Sequence, residues 1–382
     1  MAEDAEILTK HIESLSKHLA DMKSKVKVTI MPDFFFDHLI FFDGSFKSLQ
    51  EQIETVANQG GGNIPSTTQC VMRGGNSVNC VSALAVLGAQ VTFIGRTSGL
   101  GLHLLKYLLP YENVDLSGVK TDGELALTVA LEAKVGGRRS NVMLNYPGSV
   151  SDFGPESLTG EDWEKILGAD MVCCFNWLQN RKGTKLAEAV FRKTKAEGGG
   201  KTYFDTCDPS SRSKDIDEVM KGVLKKPFVD IFGMNENEAC WFAAYFDKSF
   251  SKRRKTQNPN KLAIEAAALL FDKLKLRIDL HTIDYAATFS QGNRFVAPGF
   301  DVKVGRVTGA GDAWNAGNIF GELAGMPHIE RLLLANAAAA YYIENSEGKH
   351  ATREDLLSFL QKAKAKAIRV ESIIEGEKTS PG

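Results

Sequence analysis

Apolar residues recur along this chain in two rhythms. Through residue 25 they come three or four apart, at Ile7, Leu8, Ile12, Leu15 and Leu19, which predicts an amphipathic helix ahead of the first strand. Beyond it, short apolar runs alternate with longer stretches of helical period. Strands are predicted at 26–31, 67–72, 91–95, 171–175, 202–205, 228–233 and 278–282, and helices at 47–58, 77–87, 102–109, 161–167, 185–197, 216–224 and 262–274. Strands through 287–289 and 295–297 precede helices from Gly311 and Ile329. Strands separated by helices of this length imply right-handed crossovers and an α/β fold with a mostly parallel sheet, which binds ligands at its strands' carboxyl ends. The segments around 33–44, 64–72 and 121–146 break the rhythm and look antiparallel, which predicts a small lid sheet. The expected organisation is a helical extension over 1–25, an α/β unit over 26–370 and a tail over 371–382.

Composition narrows the classes. With 43% hydrophobic and 24% charged residues, the 382-residue chain has the make-up of a globular protein with a sizeable core. Lys and Arg total 46 against 47 for Asp and Glu, a formal charge of −1, so nothing electrostatic favours nucleic acid or an anionic membrane as partner. The alanine- and leucine-rich run at 332–343 is short of the roughly 20 residues that span a bilayer. The first 25 residues mix charges among their apolar positions, unlike a secretion signal, and predict a cytoplasmic location. Six cysteines without a Cys-x-x-Cys pair are expected as free thiols.

Three local patterns carry chemistry. Thr308-Gly309-Ala310-Gly311-Asp312 opens an alanine- and glycine-rich helix, where small residues and free amides suit an anion such as phosphate. A carboxylate at Asp312 would repel that anion unless it takes a proton from an attacking hydroxyl; complementing the helix dipole is the plainer reading. Asn235 and Glu238 follow a predicted strand and share one helical face, which suits Mg²⁺ held through its water shell, although a mutual helix cap is the plainer reading of the pair alone. Gly74-Gly75-Asn76-Ser77-Val78-Asn79 starts an apolar helix downstream of Asp37. Two glycines there expose amides, and Asn79 with Asp37 would grip neighbouring hydroxyls of a polyol, unless the glycines merely make a turn. Asp33 and Asp37 lie inside an aromatic run, so at least one is expected to face a polar cavity.

In this order, Gly-Gly-x-x-x-Asn, Asn-x-x-Glu and Thr-Gly-Ala-Gly-Asp-x-x-x-x-Gly resemble the ribokinase family, the phosphofructokinase-B type of carbohydrate and nucleoside kinases, over about residues 26–370. The resemblance implies a three-layer α/β sandwich with a β lid, ATP and Mg²⁺ as cofactors, and a sugar, polyol or nucleoside as acceptor. Asp312 becomes the catalytic base, with Gly309, Ala310 and Gly311 as the anion hole. Asp37, Gly74, Gly75 and Asn79 become the acceptor contacts. Asn235 and Glu238 order Mg²⁺ and phosphate, while Thr282, Thr308 and Asn336 fall on the nucleotide side. Either Asp205 or Asp208 would approach the phosphates. Family members often dimerise through the lid, so a homodimer is implied as an option.

The departures are also informative. The family usually places Asp-Thr where this chain has Arg306-Val307, which puts a monovalent-cation site in question and sets a guanidinium there instead. His281-Thr282-Ile283-Asp284 replaces a Thr-x-Gly turn beside the nucleotide, so a differently shaped groove is expected. Two alternatives stand: a nucleoside kinase, with Phe34-Phe35-Phe36 stacking a base or forming lid core, and a sugar-binding or regulatory protein that has lost transfer. Gly95-Arg96-Thr97-Ser98-Gly99-Leu100-Gly101 lacks the spacing of a dinucleotide fingerprint. The run Lys252-Arg253-Arg254-Lys255 reads as a solvated loop. His38 is a candidate for touching substrate, and Arg138-Arg139 for neutralising a phosphate on it.

Overall fold

The computed structural model describes residues 2–21, 25–65, 67–136, 138–306, 308–345 and 347–365. In chain order the strands that build its two larger sheets are β1 (Lys27–Met31), β2 (Phe35–Ser45), β3 (Thr67–Gly74), β4 (Gln90–Arg96), β5 (Val114–Lys120), β6 (Ala126–Val135), β7 (Arg138–Tyr146), β8 (Met171–Cys174), β9 (Lys201–Asp205), β10 (Ile231–Asn235), β11 (Arg277–His281), β12 (Tyr285–Ser290) and β13 (Asn293–Pro298). Among the described residues, nine of them form one sheet in the order β13-β12-β11-β10-β9-β8-β1-β4-β5. It is parallel from β5 to β11, and β12 and β13 extend it antiparallel. Its central strands are buried on both faces, which is why they read as unbroken apolar runs.

Alternating side chains divide the core. Val28, Ile30 and Cys173 face one layer, with the helices Asn76–Val86, Ala310–Leu323 and His328–Glu344; Met31, Val172 and Cys174 face the other, with Gly183–Ala196, Glu236–Ala243 and Pro259–Leu274. The N-terminal helix Ala2–Asp21 buries Leu15 and Leu19 in the first layer, and His18 Nδ1 lies 2.5 Å from Glu330 Oε2. It therefore covers apolar surface of its own chain.

The second sheet has the order β3-β2-β6-β7, with β2 parallel to β6 and the outer pairs antiparallel. β2 begins four residues after β1 ends, so the lid grows directly out of the carboxyl edge of the main sheet. Of the aromatic run, Phe34 packs in the main core and Phe35 beneath the lid with Ala126 and Val150.

Two boundaries differ from the sequence reading. The edge strand β5 escapes the pattern because it is only half buried and carries Asp115, Ser117 and Lys120. The strand expected from 228 begins at Ile231, since Thr202 Oγ1 donates to the Phe228 carbonyl and the Thr202 amide donates to the Asp230 carboxylate in place of ladder bonds. All six cysteines are free. Among the described residues no helix is long and apolar enough to cross a membrane. The tail over 371–382 lies outside the described residues, as does Val307.

Candidate active site at the sheet edge

Two carboxylates four residues apart bracket the junction of sheet and lid. Asp33, just past β1, is fully buried and accepts from the Asn76 amide (2.8 Å), the Ser77 amide (2.9 Å), Ser77 Oγ (2.5 Å) and Asn176 Nδ2 (2.7 Å). It thereby caps the helix Asn76–Val86, whose own N-cap, Gly75, has no side chain to do so. Gly75 has φ of 91°, and a Cβ there would lie 2.8 Å from Asp33 Oδ2, so both backbone and space demand glycine. Asp37 belongs to the lid strand β2. Its carboxylate covers Gly74 so closely that a Cβ would come within 2.2 Å, and its Oδ1 is buried without a partner. Burial raises the Asp37 carboxyl to about 6, with a hydrogen bond to Thr128 and the charge of Arg306 opposing and that of Asp33 adding.

Asp312 sits in the first turn of Ala310–Leu323, and its oxygens accept from Asn76 Nδ2 and Asn79 Nδ2, each at 2.9 Å. Asn76 and Asn79 are three apart on one helical face, so a single helix start supplies both amides. Burial pushes the Asp312 carboxyl well above the usual carboxylate range, helped by the charges of Asp33 and Asp205 and opposed by the asparagine bonds. Asn79 Oδ1 is left without a partner. Gly309 caps the helix at φ 90°, where a Cβ would approach Tyr342 Oη to 2.6 Å. Ala310 and Gly311 follow with amides that no preceding helical turn can engage; Thr308 is exposed.

Beside this helix start lies a cavity of about 400 Å³, lined among others by Asn235, His281, Thr282, Arg306, Trp314 and Asn336. The His281 ring tilts against Trp314 with centroids 4.9 Å apart, and burial lowers its pKa to about 4, so it is neutral. Thr282 spends its hydroxyl inside its own turn, donating to the Tyr285 carbonyl at 2.8 Å. Asn336 is equally engaged: it accepts from Trp314 Nε1 and donates to the Pro298 carbonyl, each at 2.8 Å. Both shape the wall.

Asn235 and Glu238 face each other in a capping box. Asn235 Nδ2 donates to Glu238 Oε1 (2.8 Å), the Asn235 amide to Oε2 (2.9 Å), and Asn235 Oδ1 accepts from the Glu238 amide (3.0 Å). Burial, then the charge of Asp205, raises the Glu238 carboxyl well above its usual range. Asp205 is buried behind it, accepting from Asn315 Nδ2 at 2.8 Å, whereas half-buried Asp208 accepts from Asn237 Nδ2 at 3.0 Å beside the box. Among the described residues no group of three or more His, Cys, Asp or Glu side chains is arranged to hold a metal.

The structure adds Arg73, Tyr342 and His350, which the sequence did not single out, and gives Arg306, which it did, its surroundings. Arg73 Nη2 donates to the Gly348 carbonyl at 3.0 Å, and the Arg306 guanidinium lies 4.8 Å over the Tyr342 ring, which stacks on His350. The Arg73 contact joins residues 275 positions apart and leaves no local trace. Asn76 did leave one, its i, i+3 spacing with Asn79. His38 alternates to the other face of β2, where Nε2 meets Gln69 Oε1 at 2.8 Å. Arg253 pairs with Glu265 and Arg254 lies over Trp241, so the basic run is partly anchored. The side chains of Arg138 and Arg139 lie outside the described residues.

Comparison with known proteins gives one family. The profile of the pfkB family carbohydrate kinases matches residues 51–355. Among solved structures, the Arabidopsis thaliana ribokinase complexed with ribose and ATP superposes with a TM-score of 0.67 at 18% identity, covering 89% of this chain and 99% of that one. The adenosine kinase of Sinorhizobium meliloti gives 0.65 at 17%, covering 85% and 95%. The ribokinase of Cryptococcus neoformans in complex with ADP gives 0.64 at 17%, covering 88% and 99%. No curated protein was matched by sequence. At these identities the superpositions establish the fold, and the profile match establishes the relationship.

Proposed function

Since the chain belongs to the pfkB family of carbohydrate kinases, we propose that it moves the γ-phosphoryl group of ATP to a hydroxyl of a sugar, polyol or nucleoside, with Asp312 as base. The observation that carries this is the meeting of one carboxylate, two asparagine amides and the unengaged start of a helix beneath the lid. The asparagine amides fix the Asp312 carboxylate without neutralising it, and its raised pKa makes it a stronger proton acceptor once ionised. A hydroxyl held by Asp37 Oδ1 and Asn79 Oδ1, both buried acceptors without donors, lies on the side from which Asp312 can take its proton.

The amides at Gly309, Ala310 and Gly311 neutralise charge on the group in transit, as phosphoryl transfer requires. ATP enters through the cavity between His281 and Asn336, whose apolar wall suits a base. Mg²⁺ would be held by Asn235 and Glu238 through its water shell, since their own oxygens are engaged in the capping box, with Asp208 nearer the surface than Asp205; when bound it would neutralise phosphate charge. The lid excludes water that would otherwise take the phosphoryl group. Exposed apolar side chains on the lid, Val71, Leu127, Val142 and Leu144, support a homodimer formed there.

The test is ADP release from Mg-ATP across a panel of sugars, polyols and nucleosides. Acceptor-dependent ADP is expected; its absence across the panel, with binding retained, would make this a binding protein on a kinase fold.

A further inference from the structure

Among the described residues, six of the eleven buried side-chain polar atoms without partners belong to five residues around the acceptor site and Gly348. Besides Asp37 Oδ1 and Asn79 Oδ1 they include Arg73 Nε, Arg306 Nε and both ring nitrogens of His350. The first two are acceptors that suit hydroxyls. The two arginine nitrogens are donors that call for an acceptor, and a neutral His350 offers one donor and one acceptor; among the described residues neither Arg73 nor Arg306 is in an ion pair, although Asp312 and Asp37 lie near enough for their charges to be felt.

The two guanidiniums nevertheless converge. Arg73 reaches the Gly348 carbonyl, and Arg306 passes so close to Gly348 that a Cβ there would lie 2.0 Å from its Nη1. Gly348, at φ 70°, gives Arg306 that room. Arg306 Nη2 otherwise touches Met72 Sδ at 3.2 Å, a weak acceptor, and lies over Tyr342. Tyr342 stacks on His350 with centroids 4.6 Å apart. Burial disfavours the charge of Arg73 and the nearby Arg306 guanidinium adds to this, with Asp312 opposing, so Arg73 is held beside Arg306 at an electrostatic cost. Such a pair is compensated by a bound anion, which guanidiniums recognise through paired N–H donors.

Position decides which anion. Arg73 is on the lid strand β3, next to Gly74, and opposes Phe36 rather than Asp37. It is nonetheless close enough to Asp312 to feel that carboxylate's charge, as Arg306 is to Asp37, which puts the pair on the acceptor side, although Arg306 also lines the nucleotide cavity. We propose that the acceptor carries an anionic group, a phosphomonoester or a carboxylate, held between Arg73 and Arg306 while its hydroxyls engage Asp37, Asn79 and Asp312. This rests on the kinase reading above and narrows it.

The experiment compares wild-type kcat/KM for ribose, fructose and adenosine with that for ribose 1-phosphate, ribose 5-phosphate, fructose 6-phosphate and gluconate. The charged set is expected to exceed the neutral set at least tenfold, with the phosphate and carboxylate arms distinguishing the two anions. Arg73→Gln should lower kcat/KM for the preferred acceptor at least tenfold, chiefly through KM, and leave KM for ATP unchanged; Arg73→Lys should recover part of the loss. Equal use of neutral and charged acceptors would overturn the proposal. So would Arg73→Gln and Arg306→Gln weakening ATP alike with every acceptor, because the pair would then serve the donor. If no acceptor yields ADP, the kinase reading fails, and thermal stabilisation of the wild type still decides this one: upheld by charged ligands alone, overturned by neutral ones as well.

Discussion

At Asp312, the same two amides that hold the carboxylate in place also determine how its replacement behaves. Asp312→Asn keeps the volume but removes the proton acceptor, so turnover should fall by at least about 100-fold while acceptor binding stays within a few-fold. Steady-state kinetics with a titration of acceptor checks this; unchanged turnover would remove the base. Asp37 offers a stability readout. Its folded pKa, about 6, is above the 3.8 of an ordinary aspartate, so the folded chain keeps a proton that the unfolded chain gives up. The associated stability is fully present below about pH 4 and is lost as pH rises through 6, about 3 kcal/mol in all. Asp37→Asn should therefore gain on the wild type by up to that amount between pH 4 and pH 7. Urea unfolding at the two pH values measures it, and a pH-independent difference would refute the assignment. How legible these residues were depended on distance along the chain. Asp312 and its glycines form one continuous run, whereas Arg73 and His350 acquire meaning only from partners that folding brings to them.

At the scale of elements, the catalytic helix depends on its neighbour. Gly317 lets Ala310–Leu323 approach His328–Glu344 so closely that a Cβ would sit 2.8 Å from Ala335 Cα, and backbone cannot swing aside. Gly317→Ala should cost about 1–3 kcal/mol and lower turnover by moving Asp312. Denaturant midpoints and kinetics on the same variant test both, and full stability would show that the helices separate freely. Alternation of strand and helix made the main sheet readable because its central strands are buried on both faces. β5 was hidden by half-exposure, and the start of β10 by side-chain bonds from Thr202 that replace its ladder. The Asn235–Glu238 pair shows another limit: a spacing that suits a metal also suits a helix cap, the plainer reading, and in the fold the two side chains bond each other.

For the molecule as a whole, the proposed dimer would join ligand binding to assembly through the lid. If the apolar lid surface pairs two chains, size-exclusion chromatography with light scattering should report about twice the monomer mass, and Leu144→Glu, placed at an exposed position, should shift it toward one. A monomer at all concentrations would dismiss the dimer. Acceptor at 100 times its dissociation constant should stabilise the fold by about 2.7 kcal/mol; a smaller thermal shift from the same occupancy would mean the unfolded chain also binds it.

The short link between Asp33 and Asp37 has a kinetic corollary. One carboxylate is tied to the helix that steadies the proton acceptor, and the other travels with the lid. On the proposed mechanism, a swing of the smaller sheet would reposition half of the grip on the alcohol while the reacting carboxylate stayed still. Substrate capture and shielding of the phosphoryl group would then be a single event, and opening of that joint would be a natural point for product escape to set the turnover rate.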